Sequence, residues 1–306
     1  MEISFLLAGI ILFIYSIDLL TNDLLKLSID NVKSKLKKLT FSLHSSILTG
    51  FISTAIIQSS SAIIMITIAL INANLLNFNQ SLGIVLGSNI ATTITSFIVG
   101  LNLEKIAPFL MGISLCFFNH KNQKLTKASK IIFSISLLFF SISLMSFSTI
   151  KLQNNPKIYT YINNVTNNFL LSLIIGTLFT AALQSSSVFI AIIQILAMSG
   201  FISLHQAIPL IFGANIGTSF DPLLTLFSCN KESKKLAHFS IIFNILTVMI
   251  FSVLIKPFTL ILDGASSVLN SNIAINIALI NILFNILGVL IILPFIKPIK
   301  RYYAKW

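Results

Sequence analysis

The stretch TAIIQSSSAIIMITIAL, residues 54–70, places four consecutive hydrogen-bonding side chains inside an apolar run. A second stretch, TAALQSSSVFIAIIQIL at residues 180–196, repeats the pattern in the same setting. Small polar residues let membrane helices pack closely, and one copy alone would be explained by such a contact. Two copies favour a different interpretation, in which both polar turns contribute to one site.

The composition around these turns is that of a membrane protein. Of the 306 residues, 56% are hydrophobic and only 9% are charged, and the mean hydropathy is +0.96. Too few polar groups remain to coat a water-soluble globule. Apolar segments of about 20 residues recur, which is long enough for helices to cross a bilayer and too long for strands. We therefore predict an all-α polytopic membrane protein whose first apolar segment is a retained span without a cleavable leader.

The positive charge also fits a membrane protein. Twenty Lys and Arg against eight Asp and Glu give a formal charge of +12. The basic residues cluster in short segments at 26–38, 121–130, 231–235 and 297–305. This placement is typical of cytoplasmic loops and not of a nucleic-acid-binding surface. We expect the lipid bilayer as a partner, no nucleic acid, and a location in the cell membrane, inner or plasma, of a bacterium, with the C-terminus in the cytoplasm.

The two polar stretches belong to an internal repeat with an offset of 126 residues. Without any gap, the same offset aligns further identical residues before and after the turns. The aligned pairs include Gly50 and Gly176, Thr54 and Thr180, Gln58 and Gln184, Gly87 and Gly213, Asn89 and Asn215, and Thr92 and Thr218. Repeats of this kind determine the architecture of many transporters.

The lysines indicate that the two halves have opposite orientations in the membrane. Segment 26–38 holds five lysines, whereas its partner 152–164 holds only Lys157. Conversely, segment 228–235 is rich in lysine and its partner 101–105 is not. Because positive loops stay in the cytoplasm, this alternation predicts two inverted-topology repeats.

Each repeat is predicted to contain a re-entrant hairpin with QSSS at its tip and a transmembrane helix broken near GSNIATT or GANIGTS. Irregular backbone inside a membrane must be satisfied by protein or by a wet cavity, so the two turns and the two breaks should face each other. The predicted units are a first repeat at 1–125 (spans 3–20 and 106–118, hairpin 43–73, broken helix 81–100), a second repeat at 126–270 (spans 131–149 and 237–255, hairpin 169–200, broken helix 206–228), and a last span with a basic tail at 271–306.

The hairpin tips have the chemistry of an ion site. A helix that begins at such a tip presents free N–H groups and about half a positive charge, which favours an anion. Serine hydroxyls and glutamine amides add hydrogen-bond donors, while their oxygens are suited to a hard cation such as Na⁺. No Lys or Arg lies at the depth of either turn. A bound anion would thus be held by neutral donors and balanced by a neighbouring cation.

Two ionisable residues have alternative interpretations. Asp221 follows GANIGTSF, and its partner in the first repeat is Thr95. An intramembrane carboxylate is a functional candidate, so Asp221 either ligates sodium or caps a helix near the cytoplasmic end. For His238 we favour a packing role over a proton relay.

These motifs resemble the type II sodium/phosphate cotransporter family, including its compact bacterial members. The resemblance spans nearly the whole chain and rests on the doubled QSSS and on GSNIATT and GANIGTS. It implies sodium-driven transport of inorganic phosphate, with sodium near the broken helices. The implied phosphate residues are Gln58, Ser59, Ser60, Ser61, Gln184, Ser185, Ser186 and Ser187. The candidate sodium residues are Asn89, Thr92, Thr93, Asn215, Thr218, Ser219 and Asp221.

The sequence departs from the family pattern in two places. Ala91 replaces the usual glycine of the first broken helix, which would alter the backbone there. The chain ends at Trp306, soon after the last span, whereas many bacterial relatives continue into a PhoU-like helical domain. We expect no regulation through such a domain.

We therefore predict a sodium-coupled secondary active transporter of inorganic phosphate that works by alternating access around a midplane site. The alternatives are a passive anion channel, a transporter of another oxyanion, and a phosphate exporter. A membrane-bound enzyme is disfavoured, because no base, metal cluster or second nucleophile accompanies the serines. We expect no cofactor beyond Na⁺ as the coupling ion, and the oligomeric state stays open, a dimer included.

Overall fold

The computed structural model describes residues 2–101, 103–226, 230–269 and 272–306. Over these residues all regular secondary structure is helical, as predicted. The helices are α1 (Glu2–Leu39), α2 (Leu43–Ile57), α3 (Ser60–Asn72), α4 (Phe78–Ala91), α5 (Thr93–Gly100), α6 (Ala107–Cys116), α7 (Gln123–Gln153), α8 (Pro156–Thr166), α9 (Phe169–Leu183), α10 (Ser186–Met198), α11 (Leu204–Gly217), α12 (Phe220–Thr225), α13 (Lys231–Val253), α14 (Ile255–Leu269), α15 (Ile273–Ile292) and α16 (Ile296–Lys305), with a 3-10 turn at Leu293–Phe295 between the last two.

Six helical segments among the described residues are long and apolar enough to cross a membrane. A seventh is added if α8 and α9, which meet at 98°, count as one bent span. The chain is thus a multi-pass membrane protein. The six segments are Glu2–Leu39, Phe78–Gly100, Gln123–Gln153, Leu204–Leu224, Lys231–Val253 and Ile273–Lys305.

The helices differ from the predicted elements in three places. The predicted span at 106–118 is helical only over Ala107–Cys116, about 15 Å at 1.5 Å per residue, so it falls short of the hydrocarbon thickness by itself. Helices α8 and α14 were not among the predicted elements, because the apolar pattern did not indicate them.

The first hairpin follows from the way α2 packs on α4. The two helices run parallel, since Leu43 and Ile47 of α2 lie against Gly83 and Gly87 of α4. Further along, the Thr54 hydroxyl of α2 donates to Ser88 of α4. The chain between the end of α2 and the start of α4 must therefore return, and α3 makes that return. The chain thus reverses at QSSS, and the re-entrant position of this hairpin in the membrane stays a prediction.

The second hairpin has the same construction. Leu173 and Thr177 of α9 lie against Gly213 and Gly217 of α11, so these helices also run parallel and α10 returns between them. The bounds of α9, α10 and α11 each lie 126 residues after those of α2, α3 and α4. The inverted orientation of the two halves in the membrane and the unit limits 1–125, 126–270 and 271–306 stay predictions.

Long helices flank the hairpins. Helix α1 packs along α7, where Gly9 lets the backbone and side chain of Met145 approach closely. Helix α15 packs against α5. At that contact the fully buried Gln194 of α10 donates to the carbonyl oxygens of Ser96 and Ala274, at 2.9 and 2.8 Å. These bonds connect the second hairpin to the first broken helix and to α15.

The C-terminal helix α16 is attached through aromatic side chains. His238 of α13 makes a 2.7 Å hydrogen bond with the Tyr303 hydroxyl, and its ring stacks on Trp306 at a centroid distance of 5.0 Å. Tyr303 also contacts Phe78, the first residue of α4. His238 thus has the packing role favoured from the sequence.

Candidate functional site

Both QSSS turns have the same local structure, in which each residue has a distinct position. Gln58 ends α2 in the left-handed conformation, with φ 59°, and Gln184 ends α9 with φ 51°. For a residue with a Cβ, the left-handed backbone conformation is less favourable by roughly 1 kcal/mol or more. At both glutamines it makes the chain reverse direction within one residue. The first serine of each turn then caps the next helix, because Ser59 accepts from the N–H of Ala62 and Ser185 from that of Val188.

The remaining serines occupy the first turn of α3 and of α10. The N-cap residue uses only part of the hydrogen-bonding capacity at a helix start, so further backbone donors stay available there. The helix dipole adds about half a positive charge at each of these ends. Sequence and local structure together thus produce two helix N-termini rich in donors.

The two turns line a single cavity of about 240 Å³. This volume is many times what one water molecule requires. All eight residues of the predicted phosphate set contribute to its wall. The lining residues are Ile14, Ile17, Asp18, Thr21, Thr54, Gln58, Ser59, Ser60, Ser61, Ala91, Thr92, Thr95, Leu183, Gln184, Ser185, Ser186, Ser187, Val188 and Thr218.

The two glutamines differ in how they are held. Gln58 donates to the carbonyl oxygen of Ala55 at 2.6 Å and accepts from the Thr95 hydroxyl at 2.9 Å. Thr95 corresponds to Asp221 in the second half, so the same interaction does not recur there. Gln184 is exposed toward the cavity. The first turn is therefore the more firmly fixed of the two.

The predicted sodium residues fall into two groups. Thr92 and Thr218, where the two broken helices are interrupted, line the cavity. The others lie outside its lining: Asn89, Thr93, Asn215, Ser219 and Asp221. Asn89 and Asn215 are both buried within the helices that precede the breaks.

Hydroxyl groups at the two breaks make local bonds that leave their oxygen atoms able to accept. The hydroxyls of Thr92 and Thr93 donate to carbonyl oxygens of the preceding helical turn, at 3.0 and 2.7 Å. The Asn244 side chain donates to both Thr218 and Ser219 at 3.1 Å, which ties the second break to α13. Such oxygens are the ligand type that Na⁺ prefers.

Asp221 connects the second broken helix to the first turn. It lies in the first turn of α12, where the helix dipole favours a carboxylate. Its side chain accepts a 2.5 Å hydrogen bond from the hydroxyl of Ser61. Thus Asp221 contacts a predicted phosphate residue, an arrangement that neither sequence interpretation included.

Four of the lining residues that the sequence prediction missed belong to α1. Asp18 and Thr21 line the cavity on a helix that the sequence predicts only as a membrane span. Among the described residues that line the cavity, Asp18 is the only one with an ionisable side chain. The sequence carried a signal for it, since it is a carboxylate inside the predicted span 3–20 and such residues are functional candidates.

Comparison with known proteins identifies a family and several relatives. A family model described as Na⁺/Pi-cotransporter matches the chain twice, over residues 12–147 and 148–301. YqeW of Bacillus subtilis strain 168 is 28% identical over 274 residues, which are 89% of this chain and 87% of that protein. No solved structure matches the chain.

Two further relatives carry informative names. YjbB of Escherichia coli K12, whose name proposes inorganic phosphate export, is 24% identical over 206 residues, 67% of this chain and 37% of YjbB. The human sodium-dependent phosphate transport protein 2B is 44% identical over 57 residues, 19% of this chain and 8% of that protein. The family model covers far more than half of the residues, and the chain therefore belongs to the Na⁺/Pi-cotransporter family.

Proposed function

We propose that the protein is a sodium-coupled secondary active transporter of inorganic phosphate and that the two QSSS turns form its phosphate site. The observation that carries this proposal is the single cavity lined by all eight residues of both turns. Membership of the Na⁺/Pi-cotransporter family and the name of the human relative support the same substrate and coupling ion.

The cavity can hold a tetrahedral anion through neutral donors. The N-termini of α3 and α10 both line it, so two helix dipoles and their free N–H groups favour negative charge at one place. Serine hydroxyls rotate to suit the ligand. Ser60 and Ser186 lie in equivalent positions, so the two halves contribute similar donors from different sides.

Charge balance explains why sodium would be required. The described residues of the cavity lining include Asp18 but no Lys, Arg or His. A phosphate in this place would be undercompensated by neutral donors. A sodium ion about 4 Å away returns roughly 4 kcal/mol at an effective dielectric constant near 20. Because such coupling is reciprocal, phosphate and sodium each increase the affinity for the other.

Transport would follow from alternating access. The hairpins and broken helices would form the moving unit, and the flanking long helices would form the scaffold. Inward movement of one sodium ion yields about 2.3 kcal/mol per 100 mV, in addition to its concentration gradient. This energy would drive phosphate into the cell. Phosphate export is a second candidate, because the similarity to YjbB favours it.

Flux measurements on the purified chain in proteoliposomes test the proposal. With an inward sodium gradient, labelled phosphate should accumulate, and a choline gradient should give no accumulation. Substitutions Ser60→Ala and Ser186→Ala should each lower uptake roughly tenfold or more, because each removes a hydrogen bond to a charged group. Imposing a voltage, and reversing the sodium gradient, would distinguish import from export.

The matched control is Ser136→Ala. Ser136 is a buried serine of α7 whose hydroxyl donates to the carbonyl oxygen of Ile132, and it does not line the cavity. Its loss should leave uptake unchanged. Wild-type uptake in both Ser60→Ala and Ser186→Ala would refute the site assignment. Flux that needs no sodium and rises linearly with phosphate concentration would identify a passive channel instead.

A further inference from the structure

Asp18 lies on the face of α1 that forms one wall of the cavity. The four α1 residues in the lining are Ile14, Ile17, Asp18 and Thr21, a spacing that places them on one side of a helix. Asp18 is exposed, so its carboxylate is accessible from the cavity. Thr21 lies one helical turn further along, on the same wall.

No structural role accounts for this carboxylate. Within the described parts of the chain, Asp18 has no hydrogen bond and no ion pair, whereas Asp221 is held by Ser61. The packing of α1 against α7 uses apolar neighbours of Asp18, such as Phe13 and Ile17. An ionisable side chain inside an apolar span is costly and is retained for a functional reason.

The chemistry of the surrounding wall favours a cation. Hydroxyl groups from Thr21 and from both turns share the cavity with the Asp18 carboxylate. Carboxylate and hydroxyl oxygens are hard ligands suited to a hard cation. An anion that entered the empty cavity would instead be repelled by Asp18. The wall around Asp18 therefore favours a cation over an anion.

We propose that Asp18 and Thr21 supply the α1 ligands of a sodium site. Its role in driving phosphate transport rests on the proposed function, whereas sodium binding at this wall does not. Sodium at this wall would bridge α1, which packs on α7, to the tips of the two hairpins. Its binding would thus couple the scaffold to the proposed moving unit.

The experiment measures sodium binding without phosphate. The full chain in lipid nanodiscs is titrated with NaCl at constant ionic strength, with choline as the replacement, and the melting temperature is recorded, since a ligand that binds the folded state raises it. Asp18→Asn should raise the half-saturating sodium concentration roughly tenfold or more, because a charged ligand is lost. Asp18→Glu, which keeps the carboxylate, should retain a measurable sodium response. Thr21→Ala should give a smaller increase.

The control is Asp30→Asn, on the same helix. Asp30 is exposed and does not line the cavity, so its substitution should leave the sodium titration unchanged. The proposal is refuted if Asp18→Asn and Thr21→Ala both keep the wild-type half-saturation. It is equally refuted if Asp18→Asn improves phosphate binding at low sodium without changing the sodium titration, since Asp18 would then only repel anions.

The same titration separates this inference from the proposed function. A wild-type protein that binds sodium through Asp18 but moves no phosphate would support the sodium site and refute phosphate transport. The opposite outcome is a protein that transports phosphate with sodium but whose sodium titration is unchanged by Asp18→Asn. That result would support phosphate transport and refute the sodium site at Asp18.

Discussion

The hydroxyl of Ser61 connects residues 160 positions apart, because it donates to the carboxylate of Asp221. A hydrogen bond to a charged group contributes about 1.5–3 kcal/mol. The equivalent connection from the other turn is missing, since Thr95 stands at the position that corresponds to Asp221 and bonds to Gln58 of its own half. Among the described residues, the hydrogen bond from a QSSS turn to the broken helix of the other half is thus found for the first turn only.

A double-mutant cycle tests this link. Ser61→Ala and Asp221→Asn should each weaken the sodium activation of phosphate uptake. Because each substitution removes the same hydrogen bond, the double variant should have a half-activating sodium concentration close to that of the more affected single variant. This concentration is measured from phosphate uptake in proteoliposomes. If the effects of the two substitutions multiply independently in the double variant, the contact is contradicted.

The control cycle pairs Asp221→Asn with Ser187→Ala. Ser187 is the equivalent serine of the second turn and lines the same cavity, but the observed hydrogen bond of Asp221 goes to Ser61. The two effects should therefore combine independently.

At the residue scale, the structure brings the predicted phosphate residues into one cavity lining, whereas most of the predicted sodium residues lie outside that lining. The eight residues of the two QSSS motifs line one cavity. Asp18 was not included in the predicted site, because it belongs to no repeated motif and its neighbours in the structure come from distant segments of the sequence. The contact between Asp221 and Ser61 was likewise not predictable, since it joins the two halves.

Glycines set the geometry of the hairpin elements. A Cβ on Gly50 would lie 2.4 Å from the carbonyl oxygen of Ile84, and one on Gly176 would lie 2.3 Å from that of Leu210. Backbones can approach this closely only where no side chain intervenes. Each hairpin is therefore held tightly to the broken helix that follows it, which supports their movement as one unit.

The tight packing makes Gly87 intolerant of a methyl group. A Cβ there would lie 1.9 Å from the carbonyl oxygen of Ile47, so Gly87→Ala must push α2 and α4 apart. Overpacking of this kind costs typically 1–3 kcal/mol or more. We expect a lower melting temperature and a smaller monodisperse fraction in detergent, by thermal shift and size-exclusion chromatography.

The matched control for this prediction is Gly112→Ala in α6. No atom lies within 4 Å of a Cβ at that position, and alanine is the better helix former by about 1 kcal/mol. The melting temperature should stay or rise slightly. Equal melting temperatures for Gly87→Ala and the wild type would show that α2 and α4 pack less closely than described.

At the element scale, the apolar pattern predicted the cores of the spans but not their ends. Helix α1 extends to Leu39, far beyond the predicted limit at residue 20, because its last part is amphipathic and rich in lysine. Helices α8 and α14 were missed for a related reason, since a helix with one polar face lacks a continuous apolar run. The two breaks were predicted because polar residues interrupt apolar segments there.

The whole molecule brings two similar halves together around one cavity. The matching bounds of the hairpin helices agree with the repeat read from the sequence, and the family model also matches twice. The opposite orientation of the halves rests on the lysine distribution, which reports the side of the membrane on which each loop lies. Interior geometry could not be predicted from composition or periodicity, because it depends on how distant helices pack.

Labelling of single cysteines in intact cells tests the inverted orientation. Cys116 and Cys229 are first replaced by serine, and a membrane-impermeant maleimide is then applied. Exposed positions on the predicted outer side, which should be labelled, are Lys105→Cys and Asn154→Cys. Exposed positions on the predicted inner side, which should react only after permeabilisation, are Lys38→Cys, Lys124→Cys and Lys305→Cys. Labelling of Lys38→Cys and Asn154→Cys from the same side would refute the inversion.

The stacking of Trp306 on His238 gives the protein a built-in optical reporter. Trp306 is the only tryptophan in the chain, so all indole fluorescence comes from this one contact between the C-terminus and α13. Because α13 also holds the second helix break through Asn244, emission spectra recorded during ligand addition would follow that region without any attached dye.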